Sequence, residues 1–148
     1  MTTCLFPIQG HTTGDRGSGT VNVQLPSKHA LVLFCEMHHV TVEQLIHAAW
    51  ALVLCRYVGS DVIAFILLPS TPTAGSLTLF TSSMEESAPF LHYLNNIESY
   101  YQPTTVLKER LAATVNTGVL CHHGGNSKRR ISSQVCDFEV FCFLLDVR

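Results

Sequence analysis

At 148 residues, with 47% hydrophobic and only 14% charged side chains, the chain has the size of one compact domain with a substantial core. Its charge content lies well below the quarter usual for a soluble domain, so much of the surface is apolar or merely polar, a composition suited to leaning on a partner. A net charge of −2 with neutral histidines gives no electrostatic footprint for nucleic acid.

Residues 1–19 are rich in Gly, Thr and Ser without any period and read as a loosely packed lead-in. The stretch "TVNVQLP" (20–26) alternates, with Val21, Val23 and Leu25 on one side, and predicts a half-buried strand stopped by Pro26. Ser27 is placed to cap a helix over "KHALVLFCEMHH", whose Leu31, Phe34, Cys35 and His38 share one face. Thr41 and Gln44 then have capping-box spacing, with Val40 and Leu45 at the positions of a hydrophobic staple. That second helix runs to Tyr57 or Val58, where Gly59 supplies the left-handed residue that ends it. At 1.5 Å per residue it spans roughly 25 Å, and Glu43, Gln44, His47 and Arg56 interrupt its apolar run. It is predicted to be a core helix and not a membrane anchor.

"DVIAFILLP" (61–69) is continuously apolar and suits a central strand covered on both faces. A loop at 69–76 leads to a short strand "LTLFT". Ser83 and Glu86 repeat the capping-box spacing ahead of a helix through "SAPFLHYLNNIESYY", striped by Phe90, Leu94, Ile97 and Tyr101; Pro89 points to a later start or a kink. A shorter helix is predicted around Val106–Ala113, then a strand "VLCHH" after the turn at 116–118, and a last strand near Val135–Val147. The order is that of an α/β layered domain, with no internal repeat and no coiled-coil heptad.

The polar residues offer several chemistries. "CHH" (121–123), with Cys136 or Cys142, supplies soft and imidazole ligands of the kind zinc takes, but lacks C-x-x-C spacing, and neighbours on a strand point to opposite faces. A strand-end histidine pair is the plainer reading. Lys128, Arg129 and Arg130 follow Gly124–Gly125–Asn126 and read as a solvated turn. "GDRGSGT" (14–20) follows no strand and opens no helix, and the nucleophile elbow, P-loop and dinucleotide fingerprint are absent from the sequence. No secretory pattern opens the chain, so a cytoplasmic, reducing compartment is expected, with the six cysteines acting as small buried hydrophobes.

"TVNVQLPSKHALVLFCEMHHVTVEQLIHAAWALVLCRYVGSDVIAF" (20–65) resembles the start of the C-terminal half of condensation domains from fungal nonribosomal peptide synthetases. Those domains run through a "gvT…lqaAWalvLsrYtGsddvvFG" segment. Thr41, Ala49–Trp50–Ala51–Leu52–Val53–Leu54, Arg56–Tyr57, Gly59–Ser60–Asp61 and Phe65 stand at matching positions. Weaker likeness continues in "FLHYLNNIESYYQ", "NTGVLCHH" and "DFEVFCFLLDVR". The chain departs from the pattern at "AFILLPSTPTAG", where the family continues into Gly and an S-G-R turn, and the family's "GxFxNT"-like segment is not evident.

The resemblance implies a two-layer chloramphenicol-acetyltransferase-like lobe over 20–148, a mixed sheet packed with helices. In the family two such lobes enclose a tunnel entered by the phosphopantetheine arms of carrier proteins. "HHVTVEQ" (38–44) mimics the H-H-x-x-x-D-G pattern of carrier-dependent acyltransferases, yet Glu43 and Gln44 already serve as first-turn residues, and the resemblance puts His38–His39 at the family's "hg" ahead of the Thr segment. No catalytic, cofactor-binding or metal-binding residue is assigned. The half that carries the family's histidine motif has no counterpart here. The expectation is therefore a truncated or degenerate condensation-domain-like protein of secondary metabolism, not catalytic alone, with carrier proteins or a synthetase as partners. The alternatives are a small acyltransferase using His39, or His122/His123, as base, and an interaction module that also self-associates.

Overall fold

The computed structural model describes residues 27–67, 77–85, 87–104, 117–123 and 139–145. In chain order these form α1 (Lys28–Met37), α2 (Val42–Val58), β1 (Val62–Leu67), β2 (Leu77–Ser83), α3 (Phe90–Asn95), a 3-10 helix (Ile97–Tyr100), β3 (Tyr101–Thr104), β4 (Thr117–His123) and β5 (Glu139–Leu145). The strands make one mixed sheet in the order β3-β2-β1-β4-β5. β1 pairs antiparallel with β2 and β2 antiparallel with β3, whereas β4 runs parallel to both β1 and β5. An α/β fold with a mixed sheet is thus what the sequence led one to expect. The predicted strand at 20–26, the loop at 69–76, the helix at Val106–Ala113 and the basic turn at 128–130 lie outside the described residues.

Local chemistry sets both ends of α2. The Thr41 hydroxyl accepts from the Gln44 backbone N–H at 3.1 Å, and Gln44 Oε1 accepts from the Thr41 N–H at 2.9 Å. This is the expected capping box, satisfying two donors that the first turn leaves unpaired. At the other end Gly59 adopts φ 66° and gives its N–H to the Cys55 carbonyl at 3.0 Å. Ser27 likewise caps α1, accepting from Ala30 N–H at 3.1 Å.

Between α1 and α2 the chain closes in a Schellman arrangement. The His39 N–H bonds the Glu36 carbonyl at 3.3 Å and the Val40 N–H bonds the Cys35 carbonyl at 3.0 Å, with His39 itself at φ 54°. Glycine is the usual occupant of that left-handed position, and a histidine holds it with some strain. The first helix therefore ends at Met37, two residues before the predicted end.

The core lies where α2 meets the sheet. Ala48, Ala51 and Leu54 form the helix's buried face, and the small alanines let it approach β1 closely. β1 carries Ile63, Ala64, Phe65 and Ile66 in unbroken burial, as a strand third in a row of five must when both its faces are covered. Phe65 and Phe80 of β2 stack with centroids 4.5 Å apart and rings 16° from parallel. Val40, Leu45 and Trp50 pack against this cluster from its margin. Among the described residues no helix is long and apolar enough to cross a membrane.

Two predicted features are corrected. Ser83 is not the cap of α3, whose N-cap position is held by Pro89: it is the last residue of β2, paired with Val62. Helix α3 starts after Pro89, whose fixed φ of −67° suits the boundary. Nor does the apolar stripe run through one helix to Tyr101. Asn96 interrupts it, donating from Nδ2 to the His92 carbonyl at 2.8 Å and passing the chain into the 3-10 helix. Tyr101–Thr104 then pairs with Leu77–Phe80 at the edge of the described strands, a setting that tolerates Pro103 because an edge strand does not need every N–H for the ladder.

Removing the cap hydroxyl by Thr41→Ala should destabilise the fold by about 1 kcal/mol in urea unfolding, with Thr41→Ser close to wild type. His39→Gly should go the other way, stabilising by about 1 kcal/mol through relief of the left-handed backbone.

Candidate functional site

The histidines singled out in the sequence are not brought together. His38 caps α1 and sets its ring against Phe34, with centroids 4.5 Å apart and planes at 51°. His39 is exposed at the left-handed position of the link. Glu43 and Gln44 are first-turn residues of α2, so the "HHVTVEQ" stretch is accounted for by helix termination and initiation. His122 and His123 occupy consecutive positions on β4, opposite Leu144 and Leu145. Cys121 and Cys142 stand on β4 and β5, and Cys136 lies outside the described residues. Among the described residues, no three His, Cys, Asp or Glu side chains gather as metal ligands. Cys35 and Cys55 are free thiols, and burial pushes the Cys35 thiol up.

The polar cluster that the fold does assemble centres on His47, a residue the sequence marks only as an interruption in an apolar helix. It is 8% exposed, with Nδ1 3.0 Å from the Tyr101 hydroxyl. Phe65 and Phe80 flank the imidazole at 6.3 and 6.5 Å between centroids, and the Tyr101 ring meets it edge-on at 5.8 Å and 78°. Burial drives the His47 pKa down to about 4, and Glu43, one turn earlier, opposes that only in part. The ring is therefore neutral at pH 7.

One turn away, Gln44 Nε2 donates to Glu98 Oε1 of the 3-10 helix. Gln44 thus serves two contacts at once, its oxygen closing the capping box and its amide nitrogen reaching across to a second element. Positions 44 and 47 on α2 face positions 98 and 101 in the same order, so the two contacts form a ladder tying α2 to the segment that leads into β3.

A second tyrosine secures the other side of that segment. Tyr93 Oη accepts from the Glu85 N–H at 2.6 Å and donates to the Glu85 carbonyl at 2.7 Å, pinning α3 to the exit of β2. The Met84 N–H meets the Asp61 carbonyl at 2.6 Å, joining the ends of β1 and β2.

The cluster joins α2 to β3. An imidazole whose Nδ1 is engaged by a phenol, sealed among aromatic rings, orients Tyr101 and satisfies its hydroxyl. His47 is unreadable as a site in the sequence because its partner lies 54 residues away. The sole available signal is a histidine three residues after the capping glutamine, on the helix face that must be buried.

Comparison with known proteins gives these elements a context. The chain is 37% identical over 73 residues, 47% of its length, to nonribosomal peptide synthetase 8 of Aspergillus fumigatus. It is 30% identical over 124 residues, 68% of its length, to nonribosomal peptide synthetase ungA' of Aspergillus campestris, and 32% identical over 71 residues to nonribosomal peptide synthetase ungA of Aspergillus violaceofuscus. Each alignment covers 1% of the relative, so the chain corresponds to a very small part of these large synthetases. No family model and no solved structure matches. The likeness to fungal nonribosomal peptide synthetases expected from residues 20–65 is therefore found in three of them.

Replacing Tyr101 with Phe leaves His47 Nδ1 without that contact in a buried setting. The expected cost is about 1–3 kcal/mol in urea unfolding, against less than about 0.5 kcal/mol for His39→Ala at its exposed position.

Proposed function

We propose that the chain is a condensation-domain-like lobe, related to the C-terminal half of such domains and associated with nonribosomal peptide biosynthesis. In this reading it adopts a chloramphenicol-acetyltransferase-like arrangement, offers part of a tunnel wall and a carrier-protein docking face, and makes no amide bond alone. The observation that carries the reading is the coincidence of three things. The chain is similar to fungal synthetases, its helix α2 bears the A-W-A-L-V-L run, and that helix is capped at Thr41 and Gly59 and laid against β1.

The absence of catalysis in this proposal rests on the same residues. His39, one of the bases that a small acyltransferase would use beside His122 or His123, sits in the left-handed turn between α1 and α2 and faces solvent with no orienting partner described for it. His47 is the buried imidazole, and its Nδ1 is occupied by Tyr101.

A reading as an interaction module draws on a different observation. Leu52, Val53 and Tyr57 of α2 are exposed, at 37%, 38% and 66%, alongside Leu33 and Met37 of α1. Such apolar surface on a chain of 14% charged residues suits contact with a larger synthetase.

The decisive experiment presents the purified chain with acyl-loaded and aminoacyl-loaded carrier proteins and follows amide product by mass spectrometry. No product above the rate without protein is expected, together with measurable binding of phosphopantetheinylated carrier. Robust amide formation by the chain alone would overturn the non-catalytic reading, and failure to bind any carrier would remove the docking role.

A further inference from the structure

We propose that Asn96–Thr104, the 3-10 helix together with β3, is a strap that opens as a unit in acid, latched at neutral pH onto α2 by the His47–Tyr101 and Gln44–Glu98 contacts.

Ile97 anchors the segment in the core, and the rest of its attachment is slight. Among the described strands β3, of four residues, lies at the edge of the sheet with β2 as its partner, and Pro103 carries no N–H. The 3-10 helix before it is a single short turn with tighter, poorer hydrogen bonding than an α-helix. Two side-chain contacts from α2 supplement this weak backbone attachment, one to each half of the segment. Local opening of such units, at lower cost than global unfolding, is a general property of folded chains.

Acid works on the latch from a defined set of groups. Among the described residues, those facing His47 include Glu43 from its own helix, Tyr101 from β3, and the uncharged rings of Phe65 on β1 and Phe80 on β2. Glu98 of the 3-10 helix stands one rung away, on Gln44. A proton on His47 in the closed state creates a cation walled by aromatic carbon, with one carboxylate partly offsetting it. Lifting Tyr101 off the ring gives that cation water. Opening also uncovers Phe80, against which Tyr100 and Tyr101 rest edge-on at 5.7 and 5.6 Å.

The sign follows from linkage. In the closed form burial holds the His47 pKa at about 4, below the ordinary 6.5, so a form in which the ring regains water binds the proton first. Closure is full above pH 6.5 and is lost progressively as pH falls toward 4. With an ordinary imidazole in the open form, the opening constant rises about 20-fold between pH 7 and pH 5.

Hydrogen exchange of the full chain, read by NMR and corrected for intrinsic rates, tests this. Between pH 7 and pH 5 the opening constant of those β3 amides that bond β2 should rise about 20-fold, while the protected amides of Ile63–Ile66 change less than twofold. In His47→Gln, which keeps a polar side chain that cannot charge, the acid response of β3 should fall below about threefold. Should His47→Gln fail to fold, Tyr101→Phe should raise β3 exchange at pH 7 with β1 still protected. An equal rise in β1 and β3, an unchanged β3, an acid response retained in His47→Gln, or wild-type β3 exchange in Tyr101→Phe would each overturn the proposal.

Discussion

Everything described here depends on a single packing event, the laying of α2 along β1. Ala48, Ala51 and Leu54 give that helix a narrow buried face, and the two alanines bring its backbone near a strand whose Ile63–Ile66 run is wholly covered. Such a face supplies little contact area per turn, so the helix needs its ends fixed independently. Thr41 and Gln44 fix one end and Gly59 the other. Burial of Leu54 contributes about 2 kcal/mol and each cap about 1 kcal/mol, so the caps are comparable with the packing they permit.

The same helix organises what surrounds it. The Schellman turn at His39 sets the angle at which α1 arrives, and the Ser60 hydroxyl, bonded to both the N–H and the carbonyl of Val62, directs the chain from Gly59 into β1. Gln44 and His47 then reach from its flank to the 3-10 helix and β3. A helix anchored at both ends can serve as a fixed post from which a weaker edge is held, and the reverse arrangement would fail.

What the sequence made legible is what is decided locally. Both helix caps, the left-handed Gly59 and the continuous burial of β1 were readable because their partners lie within four residues or because an unbroken apolar run has few alternatives. The stretch Phe90–Tyr101 misled for an instructive reason. Leu94 and Ile97 are indeed buried, but an i, i+3 spacing fits a 3-10 turn as well as an α-helix, and the choice fell to Asn96 and to pairing of β3 with β2 more than twenty residues upstream. Ser83 looked like a cap because its spacing to Glu86 was right; its pairing with Val62 across the sheet overrode that preference.

The histidines divide along the same line. His39 stands where the resembling pattern has glycine, at a backbone position whose φ of 54° explains why glycine belongs there. A histidine at that point fills a turn position that favours glycine. His47, by contrast, has no local signature, because its character comes from Tyr101, Phe65 and Phe80 on three different strands. The neutral, phenol-bonded state of that ring follows from topology alone. If α2 and β3 were not brought face to face by the antiparallel run through β1 and β2, the ring would keep Phe65 and Phe80 beside it and lose the phenol at Nδ1. A polar residue in a helix's buried face thus reports on the long-range fold, and its partner identifies which edge of the sheet that helix holds in place.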